Sequence, residues 1–163
     1  MNDERNTKVE ILKRKCRRNN LIKEIYFMDL KEEPFLGIES NDVFCKKAFS
    51  LLSTRKNKTQ LQGDNFEEHI QKSIRWLEKI IENIEVIPKR GRLLFFRENE
   101  IEAVLINVNE VFRHINKIVE LTRFSAGYGD FILLAEDFSF GLCIERAEYF
   151  YELSVWGLSQ IEG

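Results

Sequence analysis

Residues 130–157, DFILLAEDFSFGLCIERAEYFYELSVWG, limit the possible folds more than any other stretch of this chain. Three short runs rich in β-branched and aromatic residues are separated by EDFS and by Ala147-Glu148. Connections that short cannot cross over a sheet, so they join antiparallel neighbours. The pattern predicts strands over 131–135, 140–146 and 149–156, and a fraying end beyond Trp156. Side chains alternate along a strand. Phe131, Leu133, Ala135, Leu142, Ile144, Tyr149, Tyr151, Leu153 and Val155 therefore form one apolar face, which should meet the helices. The other face mixes Ile132, Leu134, Cys143, Phe150 and Trp156 with Glu145, Glu152 and Ser154.

The helices come earlier. Phe66, Ile70, Ile74, Leu77, Ile81 and Ile84 recur at three- and four-residue steps, the core stripe of an amphipathic helix. Asp64-x-x-Glu67 and Asn65-x-x-Glu68 offer capping at its start. Thr7-x-x-Glu10 is a capping-box pattern ahead of Val9, Leu12 and Cys16, which predicts a first helix over about 7–27, bent or frayed near Asn19-Asn20. Residues 29–42 read as a loop. A second helix starts from Ser40 or Asn41 and carries Val43, Phe44, Ala48, Leu51 and Leu52 on one side. Residues 53–64 read as an exposed basic loop. LLFFR, 93–97, predicts a strand; IEAVLI, 101–106, fits strand or helix. Asn107-x-x-Glu110 caps a helix running to about Leu121. Helices first and an antiparallel meander last indicate an α+β fold, with the N-terminal helices packed on one face of the C-terminal meander. The 163 residues suffice for one domain, with a helical part over about 7–87 and a mixed and meander part over about 92–157.

Charge bears on function. Residues 1–60 hold 14 Lys/Arg against 9 Asp/Glu, and residues 61–163 hold 11 against 18. The acidic part repels nucleic acid and attracts a basic protein surface. The polar N-terminus lacks the apolar core of a secretory signal, and no apolar run reaches the ~20 residues of a membrane span, which implies a cytoplasmic location. Cys16, Cys45 and Cys143 are scattered and form no C-x-x-C pair, so neither a metal nor an organic cofactor is expected.

Four kinds of chemistry compete. Acids with aromatics on a rigid sheet suit a protein interface, with Asp137, Glu145, Glu148 and Glu152 steering and Tyr149, Phe150 and Trp156 as anchors. KRKCRR offers Lys13, Arg14, Lys15, Arg17 and Arg18 for phosphate contacts, with RKNK (55–58) as a second basic spot. Glu145 and Glu152, on neighbouring strands and one face, are candidates for acid/base work in a small hydrolase. Cys143 with His69 or His114 would make a nucleophile pair. Gly127-Tyr128-Gly129 precedes a strand rather than opening a helix, so it does not make a dinucleotide fingerprint.

The run Asp130–Glu136, the turn before Phe140-Gly141 and the closing Trp156-Gly157 resemble the C-terminal meander of small bacterial immunity proteins. The resemblance covers about a fifth of the chain. It implies a cytoplasmic α+β protein that neutralises a toxin by binding it, without catalytic groups, through an acidic surface set against a basic toxin site. The expected partner is then a basic protein, with nucleic acid second and no membrane, and the chain is a monomer or homodimer.

Overall fold

The computed structural model describes residues 2–28, 30 and 33–161. The chain runs α1 (Asn2–Glu24), α2 (Ile38–Thr54), β1 (Thr59–Leu61), α3 (Phe66–Glu82), β2 (Arg90–Phe96), β3 (Ile101–Asn107), α4 (Val108–Arg113), α5 (Ile115–Leu121), β4 (Phe131–Leu134), β5 (Gly141–Arg146) and β6 (Tyr151–Trp156). The strands form one antiparallel sheet in the order β1-β6-β5-β4-β2-β3. The α+β class and the predicted meander hold. The meander is the middle of a wider sheet, with the β2–β3 hairpin on one side and β1 on the other.

Both faces of that sheet are covered. Leu93, Phe95, Val104, Phe131, Leu133, Leu142, Ile144 and Leu153 pack under the end of α1 and under α3, α4 and α5. On the opposite face Leu94, Ala103, Ile132, Leu134 and Cys143 pack under α2 through Phe44, Cys45, Ala48 and Leu52. The helices therefore share out over two faces, where the sequence suggests one. The strand alternation explains why: Ile132, Leu134 and Cys143 make an apolar patch large enough to require its own cover.

Several boundaries shift. Residues 101–106 are strand, paired along their whole length with β2. The basic loop at 53–64 contains β1, a three-residue edge strand on β6. α1 begins at Asn2 and runs through both Thr7 and the Asn pair. α2 begins after Gly37, not at Ser40 or Asn41. Asn41 is instead fully buried and seals the outer edge of β3: its side chain accepts from the Ala103 N–H at 2.9 Å and donates to the Ile101 carbonyl at 2.7 Å. The Leu105 N–H donates to the Pro34 carbonyl. An edge whose groups are satisfied cannot template another strand. The helix predicted over 107–121 breaks at His114 into α4 and α5. β6 begins at Tyr151, leaving Tyr149 and Phe150 in the hairpin loop.

The end of the chain is pinned rather than frayed among the described residues. Leu158 is buried, Gln160 bridges Ile84, and the Glu85 N–H donates to the Ser159 carbonyl at 2.9 Å. The chain turns into this segment through Gly157, whose φ of +68° suits glycine; a Cβ there would collide with the Ser139 carbonyl.

Candidate functional site: the β5–β6 hairpin end

The basic segment of α1 is turned inward. Arg14 donates from Nε to Glu102 Oε1 at 2.9 Å, and Arg18 from Nε to Glu102 Oε2 at 3.0 Å. Arg17 grips Glu100, with Nη2 2.7 Å from Oε2. Glu102 projects from β3 and is only 2% exposed. A carboxylate that deep is tolerable only when its lone pairs meet donors, and two guanidiniums meet them. The stripe Val9, Leu12 and Cys16, expected in the core, faces solvent instead, with Leu12 65% exposed. A helix turns its better-satisfied face to the protein, and here three ion-paired arginines outweigh three small apolar side chains. Of the five cations proposed for phosphate contact, Lys13 and Lys15 remain exposed, and Lys13 stands 3.7 Å from Glu10.

The second basic spot is also engaged. The Arg55 guanidinium lies over the Trp156 ring, 4.0 Å from its centroid, and the Trp156 indole N–H donates to the Phe138 carbonyl at 3.0 Å. Lys58 Nζ sits 3.0 Å from Glu145 and 3.6 Å from Glu152. Those two carboxylates are directly opposite in the β5–β6 register, where like charges repel. One ammonium between them relieves the repulsion and ties the segment before β1 to the sheet.

The seven acidic and aromatic residues thus divide. Asp137 and Trp156 belong to the β4–β5 turn end of the meander. Asp137 accepts from the Ser139 N–H at 3.0 Å; hydrogen bonds from the Ser139 hydroxyl and N–H hold its carboxyl below the ordinary range. Glu145, Glu148, Tyr149, Phe150 and Glu152 gather at the β5–β6 hairpin, a strand length away, roughly 20 Å. Among them only Glu148 and Tyr149 are fully exposed, Tyr149 by 74%.

Arg146, beside this hairpin, organises its surroundings. It donates from Nε to the Gly129 carbonyl at 2.7 Å and from Nη1 to the Gly127 carbonyl, and lies 3.5 Å from Asp130. The Asp130 carboxylate in turn accepts the Arg146 N–H at 3.0 Å. Burial pushes the Asp130 carboxyl up, and Arg146 offsets part of that rise. The Gly127 and Gly129 carbonyls therefore both serve one guanidinium. Phe66, the first residue of α3, packs against Gly127. Phe66 and Tyr149 are consequently two exposed rings that line one groove with Arg146, whereas the exposed Tyr128 ring lines a separate pocket beside Arg123. Tyr149 is legible from the hairpin sequence and Phe66 is not, because only the folded chain brings the start of α3 beside the hairpin.

The nucleophile pair does not assemble. Cys143 is fully buried under α2, and burial pushes its thiol far up. His69 stacks on Tyr151 and His114 meets Phe27 edge to face, both on the opposite face of the sheet. Among the described residues no group of three or more His, Cys, Asp or Glu side chains could hold a metal ion, and no helix is long and apolar enough to cross a membrane.

A protein-family model, described as YxiF protein, matches residues 21–156, most of the chain. The chain belongs to the YxiF protein family. The match takes in the entire sheet and begins at Leu21, inside α1, so the three arginines that clamp Glu100 and Glu102 precede it. No curated protein and no solved structure was found to match.

Proposed function

We propose that this protein works by binding another protein, a basic one, through the β5–β6 hairpin end. It acts in the cytoplasm, without catalysis and without a metal or organic cofactor, as an immunity-like inhibitor of a toxin whose own site is basic. The observation that carries the reading is the contrast in how charges are used. The arginines of α1 are paired internally, whereas Glu148 has no ion-pair partner among the described residues and stands next to the exposed ring of Tyr149. Unpaired acids speed and orient the approach of a basic surface, and aromatic side chains supply the area that desolvates on contact. The resemblance of the C-terminal third to small bacterial immunity proteins supports the choice of partner.

Affinity capture from the host, at moderate and at high salt, tests this with three baits: wild type, Glu148→Lys/Tyr149→Ala, and Lys13→Glu/Lys15→Glu. The expected result is one stoichiometric basic protein retained by wild type and by the lysine variant and lost from the hairpin variant. Equal capture by the hairpin variant contradicts the reading. Nucleic acid lost only from the lysine variant would transfer the function to α1.

A further inference from the structure

Between the N-terminus of α3 and the β5–β6 hairpin lies a groove of about 320 Å³. Phe66, Tyr149 and Tyr151 line it with aromatic surface, and Asp64 and Glu148 line it with carboxylates. Its volume is at the lower end of the ~300–1,000 Å³ of ligand sites, enough for one long side chain. We infer that the groove seats a single lysine or arginine side chain of the protein partner; this rests on the function proposed above.

Three observations select a cation. The first is charge. Arg146 also lines the groove, but Asp130 and two backbone carbonyls engage it. Asp64 and Glu148 have no ion-pair partner among the described residues, so the net charge left for a ligand is negative. The second is the helix terminus, which would otherwise favour an anion. It is already served from within: the Asn65 side chain accepts the Glu68 N–H at 2.9 Å, and the Glu68 carboxylate accepts the Asp64 N–H at 3.1 Å. The third is the aromatic surface, since ammonium and guanidinium groups are attracted to ring faces.

The groove also holds a buried polar atom without a partner among the described residues. His69 is 7% exposed, and its ring stacks on Tyr151 at 4.8 Å between centroids. Its Nε2 is buried and has no hydrogen-bond partner among the described residues. Leaving a buried polar atom unpaired is costly. Gly63 lies against the ring edge, where a Cβ would stand 3.0 Å from Cδ2. In the tautomer that carries its proton on Nδ1, Nε2 accepts from an N–H donor that enters past this turn.

The test uses the full chain, labelled with ¹⁵N, and three capped tripeptides, acetyl-Gly-Arg-Gly-amide and its lysine and glutamate counterparts. NMR follows the His69 imidazole and the Tyr149 amide during titration. Saturable shifts are expected with the arginine or lysine peptide and none with the glutamate peptide. In Glu148→Gln/Tyr149→Ala, both exposed positions, binding should weaken by about tenfold, given the size of a cation–π contact and an exposed ion pair. Absence of saturable shifts with the basic peptides overturns the inference, and so does preferential binding of the glutamate peptide, which would make the groove an anion site. If the peptides fail while partner capture still depends on Glu148 and Tyr149, the interaction surface stands and only the groove's occupant is wrong.

Discussion

The α1–β3 side and the β5–β6 hairpin end contain the same kinds of residue used in opposite ways. At the first, Arg14 and Arg18 converge on buried Glu102, Arg17 holds Glu100, and Asn41 closes the edge of β3. At the second, Glu148 and Tyr149 extend into solvent, and His69 Nε2 has no partner among the described residues. Charge count does not separate the two regions; satisfaction does. A saturated ionic cluster fixes an element in place, whereas an unsatisfied one is free to recognise something else.

The largest break in this contrast should come from Glu102→Ala. Two half-buried guanidiniums lose their shared acceptor, and breaking a buried pair costs ~3–5 kcal/mol. The urea midpoint and Tm should fall together; a change too small to resolve would mean that the α1 clamp is ornamental. Asn41→Ala comes next. It leaves the Ala103 N–H unpaired and the Ile101 carbonyl with only the long Cys45 Sγ contact of 4.0 Å, and should cost about 2 kcal/mol. It also exposes an open strand edge, so size-exclusion chromatography should show concentration-dependent association.

A smaller effect sharpens the hairpin side. The Asp130 carboxyl titrates above its ordinary value of 3.8 because burial disfavours its charge. The native state then holds the proton more tightly than the unfolded chain, so Asp130 costs stability as pH rises from below 3.8 through its raised folded value. Asp130→Asn keeps a carbonyl oxygen for the Arg146 N–H and removes the titration. The variant should gain on wild type as pH rises across that window, measured as the difference in urea midpoint; a difference independent of pH would show that the carboxyl is not buried in this sense. Smallest of all is Glu148→Lys, which should change stability by no more than ~0.5 kcal/mol, as for other exposed sites without partners.

Much of the fold was legible because it follows from periodicity. The period-two alternation divided the faces of β4, β5 and β6 correctly, though it extended β6 back over Tyr149 and Phe150, and the four-three spacing from Phe66 to Ile84 located α3. What periodicity could not supply was the partner of each face. Val9, Leu12 and Cys16 have helical spacing, yet Arg14, Arg17 and Arg18 on the same helix found buried carboxylates about 85 residues away. IEAVLI could not be assigned alone, because its identity as β3 comes from pairing with β2. At the candidate site, Glu148 and Tyr149 could be read from the hairpin. Glu145, Glu152 and Trp156 looked equally available, and only the structure pairs them with Lys58 and Arg55.

The central claim is that unpaired charge at the hairpin end, and not the basic segment of α1, meets the partner. Association rates with the captured basic protein, measured by stopped flow from low to high salt, test it most directly. Wild type should associate fast at low salt and slow steeply as salt rises, and Glu148→Lys should lose about tenfold at low salt with a flatter salt dependence. Lys13→Glu/Lys15→Glu should match wild type or exceed it. The reverse pattern, with Glu148→Lys unchanged and the lysine variant slowed, would contradict the account.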